Sequence, residues 1–164
     1  MNLQLTPKQQ RFIEAKERIH CQWFERLEGS TLAIVVDSVL NSFEDDGSSY
    51  IFIDNHRLFS YMCAMYNHFY RLYDFTVHAK DYKTHVEVTN LLNGNTIKIF
   101  TRNFLESSRF LSHVRASCIY VDDYIMNYSK DALNWLLRKS GKQLKIVGKY
   151  VWGENYGWRF VRSY

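Results

Sequence analysis

The sequence predicts an α/β fold: a mainly parallel sheet flanked by helices, with a β-hairpin insertion. Three observations carry that expectation. Cys118-Ile119-Tyr120-Val121 is an unbroken apolar run of β-formers, the pattern of a strand buried on both faces of a parallel sheet. Such runs alternate with stretches of helical period along the chain. Asn93-Gly94 separates two alternating segments, Val86/Val88 and Ile97/Ile99, which is the strongest short-range hairpin signal.

The elements follow in order. Thr6-Pro7 pairs an N-cap residue with proline at the first helical position, and Phe12, Ala15, Lys16 and Ile19 recur at helical spacing, so a helix is expected from Pro7 to Arg18. Cys21–Phe24 reads as a short strand. After Gly29, the apolar positions from Leu32 to Phe43 repeat at i, i+3 and i+4, and a helix capped by Ser30 or Thr31 is expected. Tyr50–Ile53 is a strand. Arg57–Tyr70 carries Leu58, Met62, Met65 and Phe69 on one helical face, a stripe that belongs to a core. Asp74–His78 is a short extended segment, and the Val86–Thr101 hairpin follows at the edge of the sheet. Asn103–His113 is a polar loop or short helix. The Ile119 strand comes next, then a helix over Ser129–Lys139 with Ala132, Leu133, Leu136 and Leu137 inward and cations at its C-terminal end. Leu144–Val147 is a further strand, and the aromatic segment Tyr150–Tyr164 is extended.

Composition bounds the class. The 164 residues fit a single domain over 1–164, and 46% hydrophobic with 16% aromatic content argues for a folded globule. The net charge of +4 permits an acidic partner such as nucleic acid but falls short of a basic tail. Cys21, Cys63 and Cys118 sit singly inside apolar runs, which excludes a Cys-x-x-Cys zinc site and points to a reducing, cytoplasmic setting. The N-terminus lacks an apolar signal segment, and no apolar run approaches the roughly 18 residues that span a bilayer, so no membrane association is expected.

Two stretches carry chemistry. Asp122-Asp123 stands at the C-terminal end of the Ile119 strand, where open α/β sheets bind ligands. An apolar strand running into carboxylates is also the form of the strand end that holds Mg²⁺ in P-loop NTPases. Upstream, Arg26-Leu27-Glu28-Gly29-Ser30-Thr31 lies between a strand and a helix, the layout in which helix N-terminal amides face an anion. Nothing there satisfies Gly-x-x-x-x-Gly-Lys-Ser/Thr, because the lysine is missing.

In the serial order of these parts the chain resembles the ATPase domain of the large terminase subunit of tailed bacteriophages, over roughly Pro7–Val147. That resemblance implies a RecA-like P-loop NTPase-type core. It assigns Gly29, Ser30 and Thr31 to a vestigial phosphate loop, Asp122 with Ser30 to Mg²⁺ should a nucleotide bind, and Asp123 to the place of the catalytic glutamate. Ser107-Ser108-Arg109 fits the loop ahead of the acidic strand, with Ser112-His113 in place of an arginine-glycine pair. Leu144–Val147 matches the strand that couples hydrolysis to motion, with Gly148-Lys149 in place of its threonines.

The departures fall on the chemistry. Phosphoryl transfer is almost entirely positioning and electrostatics. Losing the lysine removes a full charge from the phosphates. Aspartate for glutamate withdraws the base by about an ångström, a misplacement that can cost about a hundredfold. The expectation is therefore a non-hydrolysing, terminase-like protein with no cofactor that binds a nucleic acid or a protein partner. The resemblance places it in host-cell cytoplasm. The alternative is a divergent Mg²⁺- and ATP-dependent NTPase in which Lys149, Arg26 or a partner's residue supplies the charge.

Overall fold

A computed structural model describes residues 4–25, 27–53, 58–73, 77–81, 85–101, 116–122, 130–148, 150–153 and 157–160. The elements are α1 (Pro7–Glu14), β1 (Ile19–Gln22), α2 (Ser30–Ser42), β2 (Ser49–Ile53), α3 (Leu58–Tyr73), β3 (Val77–Asp81), β4 (Val86–Asn90) and β5 (Thr96–Thr101). They continue with β6 (Ala116–Asp122), α4 (Lys130–Lys139), β7 (Ser140–Val147), β8 (Tyr150–Gly153) and β9 (Gly157–Phe160).

Seven strands form one sheet in the order β1-β7-β6-β2-β5-β4-β3. The pairs β1–β7, β7–β6, β6–β2 and β2–β5 are all parallel, so the strands expected near Cys21, Tyr50, Ile119 and Leu144 do lie parallel in one sheet. The hairpin is built as its sequence demands. Gly94 has φ +79, and Gly94 N and Asn90 N donate to Asn90 O and Asn95 O across the turn. The hairpin is not a terminal edge, however: β5 joins the parallel block and β3 pairs antiparallel outside β4. The C-terminal aromatic segment, expected to be one extended stretch, instead forms a separate antiparallel pair, β8–β9.

Period-2 alternation sorts the side chains of the parallel strands onto two faces. Ile51, Ile53, Ile97, Ile99, Cys118, Tyr120 and Val147 face α1, α2 and α3, whose Phe12, Val35, Met62 and Tyr66 complete that layer. Tyr50, Phe52, Phe100, Ile119, Val121 and Ile146 face Leu133 and Leu136 of α4. Helix α2 is buried almost all round because it lies beneath the sheet and beside both α1 and α3, which explains its nearly continuous apolar sequence.

Several boundaries differ from expectation for local reasons. Helix α1 stops at Glu14 rather than Arg18, since Ala15 takes an extended conformation and the chain turns into β1. Arg18 then donates to Leu137 O, in the last turn of α4 where the dipole favours a cation, and to Ser140 O at the start of β7. In α3 the buried stripe is Phe59, Met62, Tyr66 and Phe69, rotated slightly from the expected one, and Met65 is only partly covered.

Candidate functional site

The register of the parallel strands draws one straight row across the C-terminal edge of the sheet: Gln22, Val147, Asp122 and Ile53. Asp122 is two residues on from Tyr120, so it shares the face covered by α1, α2 and α3. At the same edge the chain leaves β1 and enters α2 through residues 23–29. Just beyond the row, Gly148 N donates to Gln22 O at 3.1 Å, extending the β1–β7 ladder.

The turn into α2 is set by Gly29. It is the N-cap residue, in the left-handed region at φ +79, and its carbonyl accepts from Ala33 N at 3.1 Å. Ser30 and Thr31 are therefore not the cap, contrary to expectation; both are already helical, and no side chain caps the helix. The reason is the adjoining helix. Gln9 of α1 forms a reciprocal capping box with Thr6, through Gln9 N to Thr6 Oγ1 at 3.1 Å and Thr6 N to Gln9 Oε1 at 2.8 Å. Its Nε2 then donates to Gly29 O at 3.0 Å. One glutamine amide thus joins two helix starts, and sequence reasoning missed it. The signal was present, since Thr6-x-x-Gln9 is the capping-box spacing.

The surroundings of the turn are polar and crossed by an ion pair. Lys8 Nζ lies 2.9 Å from Glu28 Oε1, and that hydrogen bond, joined by one from the Glu25 amide, holds the Glu28 carboxyl below the usual carboxylate range. Thr6, Lys8, Gln9, Arg11, Glu28 and Gly29 line an open cavity of about 570 Å³ beside the turn.

The structure thus brings Gly29, Ser30, Thr31 and Asp122 to one edge and one face of the sheet. It does not present them as a solvent-reachable pair of carboxylate and loop. Asp122 is 4% exposed and Ser30 3%, because β6 lies between β7 and β2 and α2 covers that face. Asp123 lies outside the described residues, as do Arg26, Lys149, Ser107-Ser108-Arg109 and Ser112-His113. Among the described residues no group of three or more His, Cys, Asp or Glu could hold a metal ion, and no helix is long and apolar enough to cross a membrane.

The space that a Cβ at Gly29 would fill holds Gln9 Nε2, 2.2 Å from its ideal position. No cation stands between Gly29 and the helix start, while Glu28 keeps a carboxylate at the mouth of the turn.

The strand–turn–helix with its left-handed glycine, one strand removed from an acidic strand end on a parallel sheet, gives the chain a P-loop NTPase-like fold. In fold it is similar to the ATPase domains of phage large terminases. The Thermus phage P74-26 large terminase ATPase domain superposes with a TM-score of 0.62 at 13% identity, covering 89% of this chain and 65% of that one. The large terminase of a second, thermophilic bacteriophage superposes with a TM-score of 0.60 at 12% identity, covering 90% of this chain and 39% of that one. This second terminase has also been solved in complexes with ADP and with ATP-gamma-S. The chain therefore spans less than two thirds of either relative. No protein-family model matches the sequence, and no curated protein matches it.

Proposed function

We propose that this chain is a terminase-ATPase-like module that does not hydrolyse ATP and acts by binding a macromolecular partner, protein or nucleic acid, in packaging, replication or host takeover. The observation that carries the reading is the turn at Gly29. The glycine is there, yet the space beside it is taken by Gln9, the lysine is absent, and Lys8, which lines the same cavity, is spent on Glu28. The scaffold around it is complete, with a seven-stranded sheet and both apolar layers formed. A fold maintained while its phosphate chemistry is lost fits a protein used for its surface.

A second reading, a divergent NTPase, draws support from Arg11, which lines the cavity beside Gly29. One experiment separates the two. Purified protein is assayed for Mg²⁺-dependent ATP hydrolysis and for a change of melting temperature with Mg-ATP, which stabilises only a fold that binds it. The expected result is no turnover above background and no thermal shift. Hydrolysis that disappears in Asp122→Asn, with the melting temperature kept, would establish the enzyme instead.

A further inference from the structure

Helix α3 covers β3 and β4 with its apolar stripe of Phe59, Met62, Tyr66 and Phe69 and turns its other side to solvent. Tyr61, Ala64, His68 and Arg71 are all exposed. At 3.6 residues per turn they fall within about 80° of one another, opposite the buried stripe. The helix has 16 residues, about 24 Å at the α-helical rise, so its backbone fixes the order of these four side chains along one line.

The chemistry of this face is aromatic and cationic. Tyr61 is 55% exposed, and neither its hydroxyl nor the Arg71 guanidinium makes a hydrogen bond or ion pair among the described residues. Tyr66, on the buried side of the same helix, has Ser38 as its partner instead. Tyr61 and His68 stand two turns apart, about 10 Å along the axis. Between them this face carries the methyl group of Ala64, with Met65 half-buried at its margin. A flat ring system can therefore lie against either aromatic side chain without meeting a bulky neighbour. Leu58–Tyr73 contains no Asp or Glu, although the chain has 17. Nothing on the helix repels an anion, and Arg71 in its last turn offers one a guanidinium.

We infer that this face binds single-stranded nucleic acid, with bases stacked on Tyr61 and His68, the shelf at Ala64 between them, and a phosphate on Arg71. A duplex buries the faces of its bases and presents phosphates and groove edges, for which α3 has one arginine. An acidic peptide would use Arg71 and leave both rings idle. The inference rests on the binding reading above and narrows its partner to a single strand. The ATP assay does not register it, and a face that binds nothing leaves the absence of hydrolysis untouched.

The test titrates the full chain into a fluorescein-labelled oligothymidylate of roughly 12 nucleotides, into its duplex with the complementary strand, and into a labelled polyglutamate of equal length, each followed by anisotropy at low salt. Tightest binding of the single strand is expected. Tyr61→Ala should weaken it about tenfold, the order of one stacked base. Arg71→Gln should weaken it less and flatten its salt dependence. Ala64→Glu sets a carboxylate between the two rings and should weaken it at least as much as Tyr61→Ala. All three positions are exposed and receive good helix formers, and circular dichroism with urea unfolding confirms that each variant is folded. No saturable binding, duplex or polyglutamate bound as tightly as the single strand, or an affinity unchanged in Tyr61→Ala and Ala64→Glu would each overturn the inference.

Discussion

Lys145 is the residue on which the interior is most exacting. It is 1% exposed, and its ammonium reaches Asp37 Oδ2 at 2.6 Å, Phe12 O at 2.8 Å and Ile13 O at 3.2 Å, so all three protons are placed. The same ammonium lies 5.2 Å from the centre of the Phe12 ring. Burial pushes the Asp37 carboxyl up from its ordinary value, with Lys145 and the Tyr120 hydroxyl pulling against that and falling short. Lys145→Met should therefore cost about 3–5 kcal/mol in urea unfolding, since it strands Asp37, and Lys145→Met/Asp37→Leu should recover most of that loss. The sign of the pH dependence follows from the raised carboxyl. Between the ordinary value of 3.8 and the higher folded one, the native state holds more protons than the unfolded chain, so this group's contribution falls as pH rises through that window. Asp37→Asn should remove that part of the slope. The pair was legible in outline, because a lone lysine in Leu144-Lys145-Ile146-Val147 and a lone aspartate in Val35-Val36-Asp37 each interrupt an apolar run. Which two meet depends on β7 lying above α2, and no local pattern encodes that.

At the scale of elements, two glycines with the same backbone angle separate two kinds of requirement. Gly94 and Gly29 both have φ +79, but an added Cβ meets nothing within 4 Å at Gly94 and meets Gln9 Nε2 at 2.2 Å at Gly29. Gly94→Ala should cost about 1–2 kcal/mol, the left-handed penalty alone. Gly29→Ala should cost about 2–4 kcal/mol, because displacing Gln9 also breaks the hydrogen bonds it shares between α1 and α2, each worth about 1 kcal/mol. Chemical denaturation of the two variants checks the order. The hairpin was readable because Asn-Gly dictates its turn with no help from the rest of the chain. The start of α2 was misjudged by one position, as Ser30 and Thr31 have the right chemistry for a cap and only the approach of α1 gives the role to Gly29. Similarly, Asp122 announced itself as a strand-end acid, while its burial comes from α2 and the neighbouring strands.

For the whole molecule, the alternation of helical and apolar runs disclosed a parallel α/β sheet, and the solved terminase structures agree with it at 12–13% identity. The order of strands was hidden, because neighbours in the sheet are not neighbours in the chain. β7 inserts between β1 and β6, and β1 pairs with no other strand among the described residues. Ile19 lies opposite Leu144, and Gln22 opposite Val147. That pairing has a consequence in time. Ile19 and its partner Leu144 lie far apart in the sequence, so α1 and β1 are synthesised well before the strand they pair with. Closure of so long a loop is slow, which places this chain toward the millisecond-to-second end of refolding. A chain ending at Lys139 should show no cooperative urea transition by circular dichroism, whereas the full chain should show one. Until β7 emerges, the seven-stranded sheet is unfinished, and the ammonium of Lys145 arrives with that strand to fasten α1 to the rest.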